Sequence, residues 1–264
     1  MQNKYLQNLL IILALTGPLL ALLAFTYGTY SDFKTEQLTY PKVKEAFDLK
    51  EVDLKTRVAL RDVDKENFEI YIRAFKLEEV LEVWARTKGE ETYAQIANYP
   101  FCSSVGVLGP KRKQGDRQIP EGFYEIEEFN PESDYHLSLK VSYPNKSDSI
   151  LGDSFHLGGL IYVHGGCETI GCIPITDDKI MELYVLAVLA RDNGQESIPI
   201  HIFPARLNYS NYKMLVGQPE NKAHIRFWGS LRTCYLYFEE RGVLPLISTN
   251  HLGEYLFHDS EQKN

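Results

Sequence analysis

"GLIYVHGGCETIGCIPITDD", residues 159–178, decides how this chain is read. "GLIYVHG" (159–165) is a short apolar run of the kind that forms a buried strand. It ends on His164-Gly165, and Gly166, Cys167, Gly171 and Cys172 follow at once. Thr176 then opens "TDDKIMELYVLAVLARDNG" (176–194). Thr176 suits a helix N-cap, and the Asp pair after it sits where the helix dipole favours negative charge. Ile180, Leu183, Leu186 and Leu189 recur near helical spacing and Gly194 is a natural stop. The stretch therefore predicts a strand, a glycine-rich turn carrying one His and two Cys, and a helix.

Working outward, "FEIYIRAFK" (68–76), "VLEVWART" (80–87), "TYAQIANYPF" (92–101), "FYEIEEF" (123–129), "YHLSLKVSY" (135–143) and "IPIHIFPARL" (198–207) read as strands. In 135–143, His136, Ser138 and Lys140 alternate with Leu137, Leu139 and Val141, which implies one apolar face. "LGPKRKQGDRQIPEG" (108–122) is a long Gly/Pro loop, and 223–241 a helix rich in aromatics. The fold class expected is mostly β with α decorations. The expected organisation is a signal peptide or membrane anchor over 1–30, a polar spacer with short helices over 31–66, a catalytic domain over 67–245 and a frayed polar tail over 246–264. No internal repeat or low-complexity segment is present.

The 264 residues, 44% hydrophobic with 17 Tyr and 13 Phe, suit a globular chain and exclude a disordered one. A net charge of −8 argues against nucleic acid as a partner, since such proteins present a basic face. The densest basic cluster, "PKRKQGDR" (110–117), reads as a solvated turn, with contact to an anionic polymer as its alternative. Residues 9–25, "LLIILALTGPLLALLAF", are uncharged and follow Lys4. As a helix they would span roughly 26 Å against a hydrocarbon core of about 30 Å, and Gly17-Pro18 would kink it. This reads as an export signal, either cleaved or retained as an anchor, with the body delivered to the periplasm or cell envelope and touching membrane only through this segment.

Four readings of the His/Cys turn are open at this level. His156, His164, Cys167 and Cys172 are a zinc set by residue type. A Cys167–Cys172 disulfide would close a small loop in an oxidising compartment; Cys102, Cys167, Cys172 and Cys234 allow three connectivities if all pair. The cysteines could be inert and buried. In the last reading Cys172 is a nucleophile. A free thiol is only a few per cent ionised at neutral pH, and His164 supplies the missing base. Gly171 would let the backbone approach a substrate carbonyl, and the positive end of the helix after 176 would lie near the thiolate. Glu168 beside Cys167 makes that cysteine the poorer nucleophile.

"YVHGGCETIGCIPITDD" (162–178) resembles the active-site segment of L,D-transpeptidases of the YkuD type, nearest to the YafK-like murein branch. "LGPKRKQGDRQIPEGFYEI" (108–126), "FNPESDYHLSLKVSYPN" (129–145) and "HIFPARL" (201–207) resemble that branch in the same order, so the likeness covers about 68–240. It implies a β-sandwich catalytic domain with a helix after the catalytic Cys. It implies that Cys172 attacks the third-residue carbonyl of a peptidoglycan stem tetrapeptide, that His164 is the base, and that the carbonyl of Gly165 orients it. No cofactor or metal is then required. Gly171 completes the candidate catalytic set, and Thr169, Tyr143 and Arg206 are candidate substrate contacts. Ile170 stands where most of the family has a second His, and Ile173-Pro174 lacks the usual Arg. The branch also contains hydrolases, including enzymes that detach a peptidoglycan-linked lipoprotein; a non-catalytic cell-wall binding module is the reading outside enzymology.

Overall fold

The computed structural model describes residues 33–258 apart from Ser154; the signal or anchor expected over 1–30 lies outside these described residues. Its strands are β1 (Phe68–Phe75), β2 (Val80–Thr87), β3 (Ala94–Pro100), β4 (Gly122–Asn130), β5 (Ser138–Val141), β6 (Tyr162–His164), β7 (Ile173–Pro174), β8 (Pro199–Phe203), β9 (Leu246–Thr249) and β10 (Tyr255–His258). Its helices are α1 (Phe33–Gln37), α2 (Pro41–Ala59), α3 (Lys146–Leu151), α4 (Asp177–Asp192), α5 (Tyr209–Gly217) and α6 (Ile225–Arg241).

β1 to β8 form one curled sheet in the order β3-β2-β1-β8-β4-β5-β6-β7. The curl is made at β4. Gly122–Glu125 pair with β8, whereas Ile126–Asn130 pair with β5, with a shift of register between Ile126 and Glu128. A bulge at such a point bends the strand, so one strand serves both halves of the sheet. The half beyond the bend is short, and it carries the His/Cys turn.

α4 lies against the sheet, and it is buried on more sides than the spacing of Ile180, Leu183, Leu186 and Leu189 alone indicates. Tyr184, Val185, Ala187, Val188 and Ala190 are buried along with the expected Ile180, Leu183, Leu186 and Leu189. The reason is α2, which covers the far side of α4. Val43, Ala46, Phe47, Leu54 and Val58 of α2 join the same core, Arg57 donates to Glu182 at 2.8 Å, and Tyr184 donates to Gln37 at 2.7 Å. The 31–66 segment thus contributes a 19-residue helix to the core instead of acting as a spacer. Leu54→Ala is therefore expected to cost about 2–5 kcal/mol, a large-to-small change in a packed core. A lowered thermal midpoint of the whole domain checks this; an unchanged midpoint would mean that α2 is detachable.

The other face of the sheet carries a second core, in which Phe75 and Phe203 meet Trp228, Leu231 and Tyr235 of α6. The tail expected over 246–264 is corrected in part: β9 and β10 pair as an antiparallel hairpin. Tyr255 packs edge-on against Phe123, centroids 4.6 Å apart, and its hydroxyl accepts from Asn145 at 2.8 Å.

Candidate active site

β6 is held between β5 and β7, with Ser138 opposite His164 on one side and Val163 and His164 opposite Ile173 and Pro174 on the other. Carrying that parallel register back one residue sets Cys172 beside Tyr162. Alternate residues of a strand share a face, and in-register neighbours point the same way. Ser138, Tyr162, His164 and Cys172 therefore project from one side of the sheet, and all four line one cleft of about 320 Å³. β6 is shorter than the run 159–165 suggests because Leu160 has φ +57. That turn aims the Leu160 carbonyl at the Cys172 thiol, which donates to it at 3.6 Å.

His164 is 2% exposed. Its Nδ1 lies 2.5 Å from the Gly165 carbonyl. A carbonyl only accepts, so Nδ1 carries the hydrogen and Nε2 keeps its lone pair for the cleft. The glycines are required here: a Cβ on Gly165 would fall 2.5 Å from Asp177 Oδ1 and 2.6 Å from the Tyr135 carbonyl. Asp177, the first residue of α4, accepts the Gly166 N–H at 2.7 Å. Thr176 occupies the N-cap position without a side-chain cap bond. The start of α4 thus secures the Gly165–Gly166 turn, and the groups that favour the Cys172 thiolate are the Tyr162 N–H and Lys111.

Burial dominates both ionisations. It pushes the Cys172 thiol above its ordinary range, against the pull of the Tyr162 N–H and Lys111. It also holds His164 below the ordinary imidazole range, partly offset by the Gly165 carbonyl. The resting pair is therefore neutral thiol and neutral imidazole. Lys111 corrects the solvated-turn reading of 110–117. It is 5% exposed, and its Nζ is held by the Lys113 carbonyl at 2.9 Å and Asp116 Oδ1 at 2.7 Å. Asp116 also accepts from the N–H groups of Arg112, Lys113 and Gln118, so the turn is built around it.

Thr169 lines the cleft but spends its hydroxyl within its own loop. It accepts from the N–H of Gly171 at 3.1 Å and of Cys172 at 2.9 Å, and donates to the Cys172 carbonyl at 2.9 Å. Gly171, at φ +136, makes its close approach to the Gln118 carbonyl, 3.0 Å from where a Cβ would lie, and not to the cleft. Two expected substrate contacts are corrected. Arg206 is claimed by acidic residues beside β2: its N–H donates to Glu78 at 3.1 Å and its guanidinium pairs with Glu82 at 2.5 Å. Tyr143 is buried and donates to the Leu157 carbonyl at 3.3 Å, behind the loop that carries Leu160. Neither lines the cleft.

The structure sets aside two of the readings of the cysteines. Cys167 is bonded to Cys102, 65 residues away, while Cys172 and Cys234 are free. A Cys167–Cys172 bridge and the zinc set that needs Cys167 are both ruled out, and Cys234 is a buried core thiol. Cys102 also donates its N–H to the Pro174 carbonyl at 3.0 Å, so the bridge ties the His/Cys turn to the end of β3. Breaking a loop of this length is expected to cost up to about 4 kcal/mol. Cys102→Ser and Cys167→Ser should melt at the same lowered temperature, and wild-type protein in reductant should join them. Different midpoints for the variants would contradict the pairing.

No protein-family model matches the chain. Over 181 residues it is 33% identical to YafK, a protein of Escherichia coli (strain K12) whose name assigns it to the L,D-transpeptidases; the match covers 68% of this chain and 70% of that protein. The O157:H7 counterpart matches equally. The chain belongs to the L,D-transpeptidase family. Among solved structures, the helical cell shape determining protein Pgp2 from Campylobacter jejuni overlays with a TM-score of 0.41 at 15% identity, covering 76% of this chain and 80% of that one. L,D-transpeptidase 1 of Mycobacterium tuberculosis gives 0.30 at 16%, covering 51% and 62%.

At the mouth of this cleft Ile170 is 78% exposed, and Leu160 stands exposed beside it. The cleft also has a wall that sequence reasoning did not single out. Asp134, Tyr135 and Ser138 precede or begin β5, and Glu168 lies on the turn; among the described residues no Lys or Arg lines it. The one sequence signal for this wall was the polar face of 135–143, which holds Ser138.

Proposed function

We propose that the chain is an exported peptidoglycan L,D-transpeptidase that works through an acyl-enzyme on Cys172. The observation that carries this reading is that the free thiol of Cys172 and the imidazole of His164 share one cleft and one sheet face. In the reaction, Cys172 gives its proton to Nε2 as the sulfur attacks the carbonyl of the third stem residue. The fourth residue leaves as an amine and takes the proton from His164, which leaves a thioester. An acceptor amine, or water, gives a proton to Nε2 and attacks the thioester, and the departing Cys172 sulfur takes that proton back from His164 to restore the resting pair. The Gly165 carbonyl holds the tautomer this needs and stabilises the imidazolium that forms. The Cys102–Cys167 bridge suits an oxidising compartment such as the periplasm, with membrane contact only through the 1–30 segment. Stem peptides are the partner, and the reaction needs no cofactor.

A hydrolytic outcome, including release of a peptidoglycan-linked lipoprotein, is favoured by one observation. Exposed Ile170 and Leu160 offer an incoming acceptor no hydrogen bond. Asp134 and Glu168 can attract an ammonium, but an amine attacks only after losing its proton and only when held about 3–3.5 Å from the acyl carbon. Hydrolysed product is therefore expected to remain substantial with acceptor present. The product ratio at rising acceptor concentration measures this. Dominance of exchanged product at low acceptor would overturn it.

A further inference from the structure

We infer that Tyr135 is the positioning residue of His164: its ring holds the imidazole with Nε2 turned to Cys172. The inference rests on the acyl-enzyme reading for its meaning, and on geometry for its content. The two rings are in contact, with centroids 4.6 Å apart and planes tilted by 35°. Apart from this contact, the imidazole is held by one hydrogen bond, to the carbonyl of the next residue. The second side-chain torsion of a His is broad, so a bond to the adjacent carbonyl does not by itself fix the ring, and a packed neighbour must do so.

The backbone builds this contact deliberately. Ser133 Oγ accepts the Tyr135 N–H at 3.1 Å, which sets the turn before β5. Two residues on, the Leu137 carbonyl accepts the Gly165 N–H at 3.3 Å, and Ser138 pairs with His164. Tyr135 is thereby laid over the His-Gly-Gly turn. A Cβ on Gly165 would meet the Tyr135 carbonyl at 2.6 Å, and one on Gly166 would meet the ring at 3.3 Å. Both glycines make room for the same residue.

Tyr135 is 42% exposed, so its ring is no part of the core. Its ring is therefore the part to test. A π face beside the imidazole attracts the cation that forms when Nε2 takes the thiol proton, and it keeps water from the side of the ring it covers. Among the described residues no Lys or Arg lines the cleft, and Lys111, buried behind it, is paired with Asp116 at 2.7 Å.

The test is the rate of Cys172 alkylation by iodoacetamide on the full chain in non-reducing buffer, with the labelled site located by mass spectrometry. This readout needs no muropeptide. His164→Ala should slow labelling at neutral pH by at least about tenfold, since the base that helps ionise the thiol is gone. Tyr135→Ala should slow it comparably, and Tyr135→Phe should recover most of the rate because the ring is kept. In the His164→Ala background, Tyr135→Ala should add nothing, because residues that act through one another are not additive. Tyr135→Leu, which fills the space without a π face, carries the same cycle if the Ala variant does not fold. Labelling at or above the wild-type rate in Tyr135→Ala would overturn the inference, since the ring would then be only a cover. A slowing that persists undiminished without His164 would overturn it too. Coupled labelling with no turnover of stem peptides would leave the positioning role standing and remove the proposed reaction instead.

Discussion

Cys172→Ala is expected to abolish turnover of stem tetrapeptides, while Cys167→Ala retains most of it at temperatures where the variant stays folded. The sulfur of Cys167 is already spent in the bridge to Cys102, so its loss removes a tie and not a nucleophile. Cys172 is free, reaches the cleft, and is served by the Tyr162 N–H and Lys111, which favour its thiolate against burial. The two variants thus separate chemistry from clamping. Equal loss of turnover in both would show that the shape of the turn matters more than the thiol.

His164→Ala should lower kcat/KM by a factor on the order of 10²–10⁴, the usual loss for a positioned general base. His156→Ala should do far less, because the structure uses its carbonyl, which accepts from the Gln114 N–H at 2.7 Å, and keeps it out of the cleft. The wild-type profile carries a sign that checks the assignment. The base must be neutral to accept the thiol proton, and burial holds His164 below its ordinary value of 6.5. The acid limb of kcat/KM should therefore lie below pH 6.5, so activity persists as the pH falls past the point where a free imidazole has become protonated. A limb at or above 6.5 would point to another base.

Local pattern carried much of this molecule. The run 80–87 is a strand from end to end, and the start and stop of α4 follow Thr176 and Gly194. What escaped was set by contacts distant in sequence. In α2 the apolar stripe Val43, Phe47, Leu54, Val58 is interrupted at Lys50, which reaches Asp178 and Glu182 of α4 and so looks solvent-facing in one dimension. The hairpin of β9 and β10 joins strands of four residues each, too short for a periodic signal, around a turn closed by Gly253 at φ +79. Arg206 looked available for substrate until the fold brought Glu78 and Glu82 beside it. Spacing among four cysteines could not choose Cys102 as the partner of Cys167. The site divides in the same way. His164, Gly165 and Cys172 are contiguous enough to be read together, whereas Tyr135 and Ser138 reach them only through the pairing of β5 with β6.

The central claim is that the stem peptide is passed through a thioester on Cys172. Its most direct test is an acid-quenched incubation of the enzyme with tetrapeptide muropeptide and no acceptor amine, followed by intact-mass and peptide mass spectrometry. The account predicts loss of the fourth residue together with a thioester adduct of the remaining tripeptide muropeptide, mapped to the peptide containing Cys172 and absent in Cys172→Ala. Loss of the fourth residue by the Cys172→Ala enzyme, or an adduct on any other residue, would contradict it.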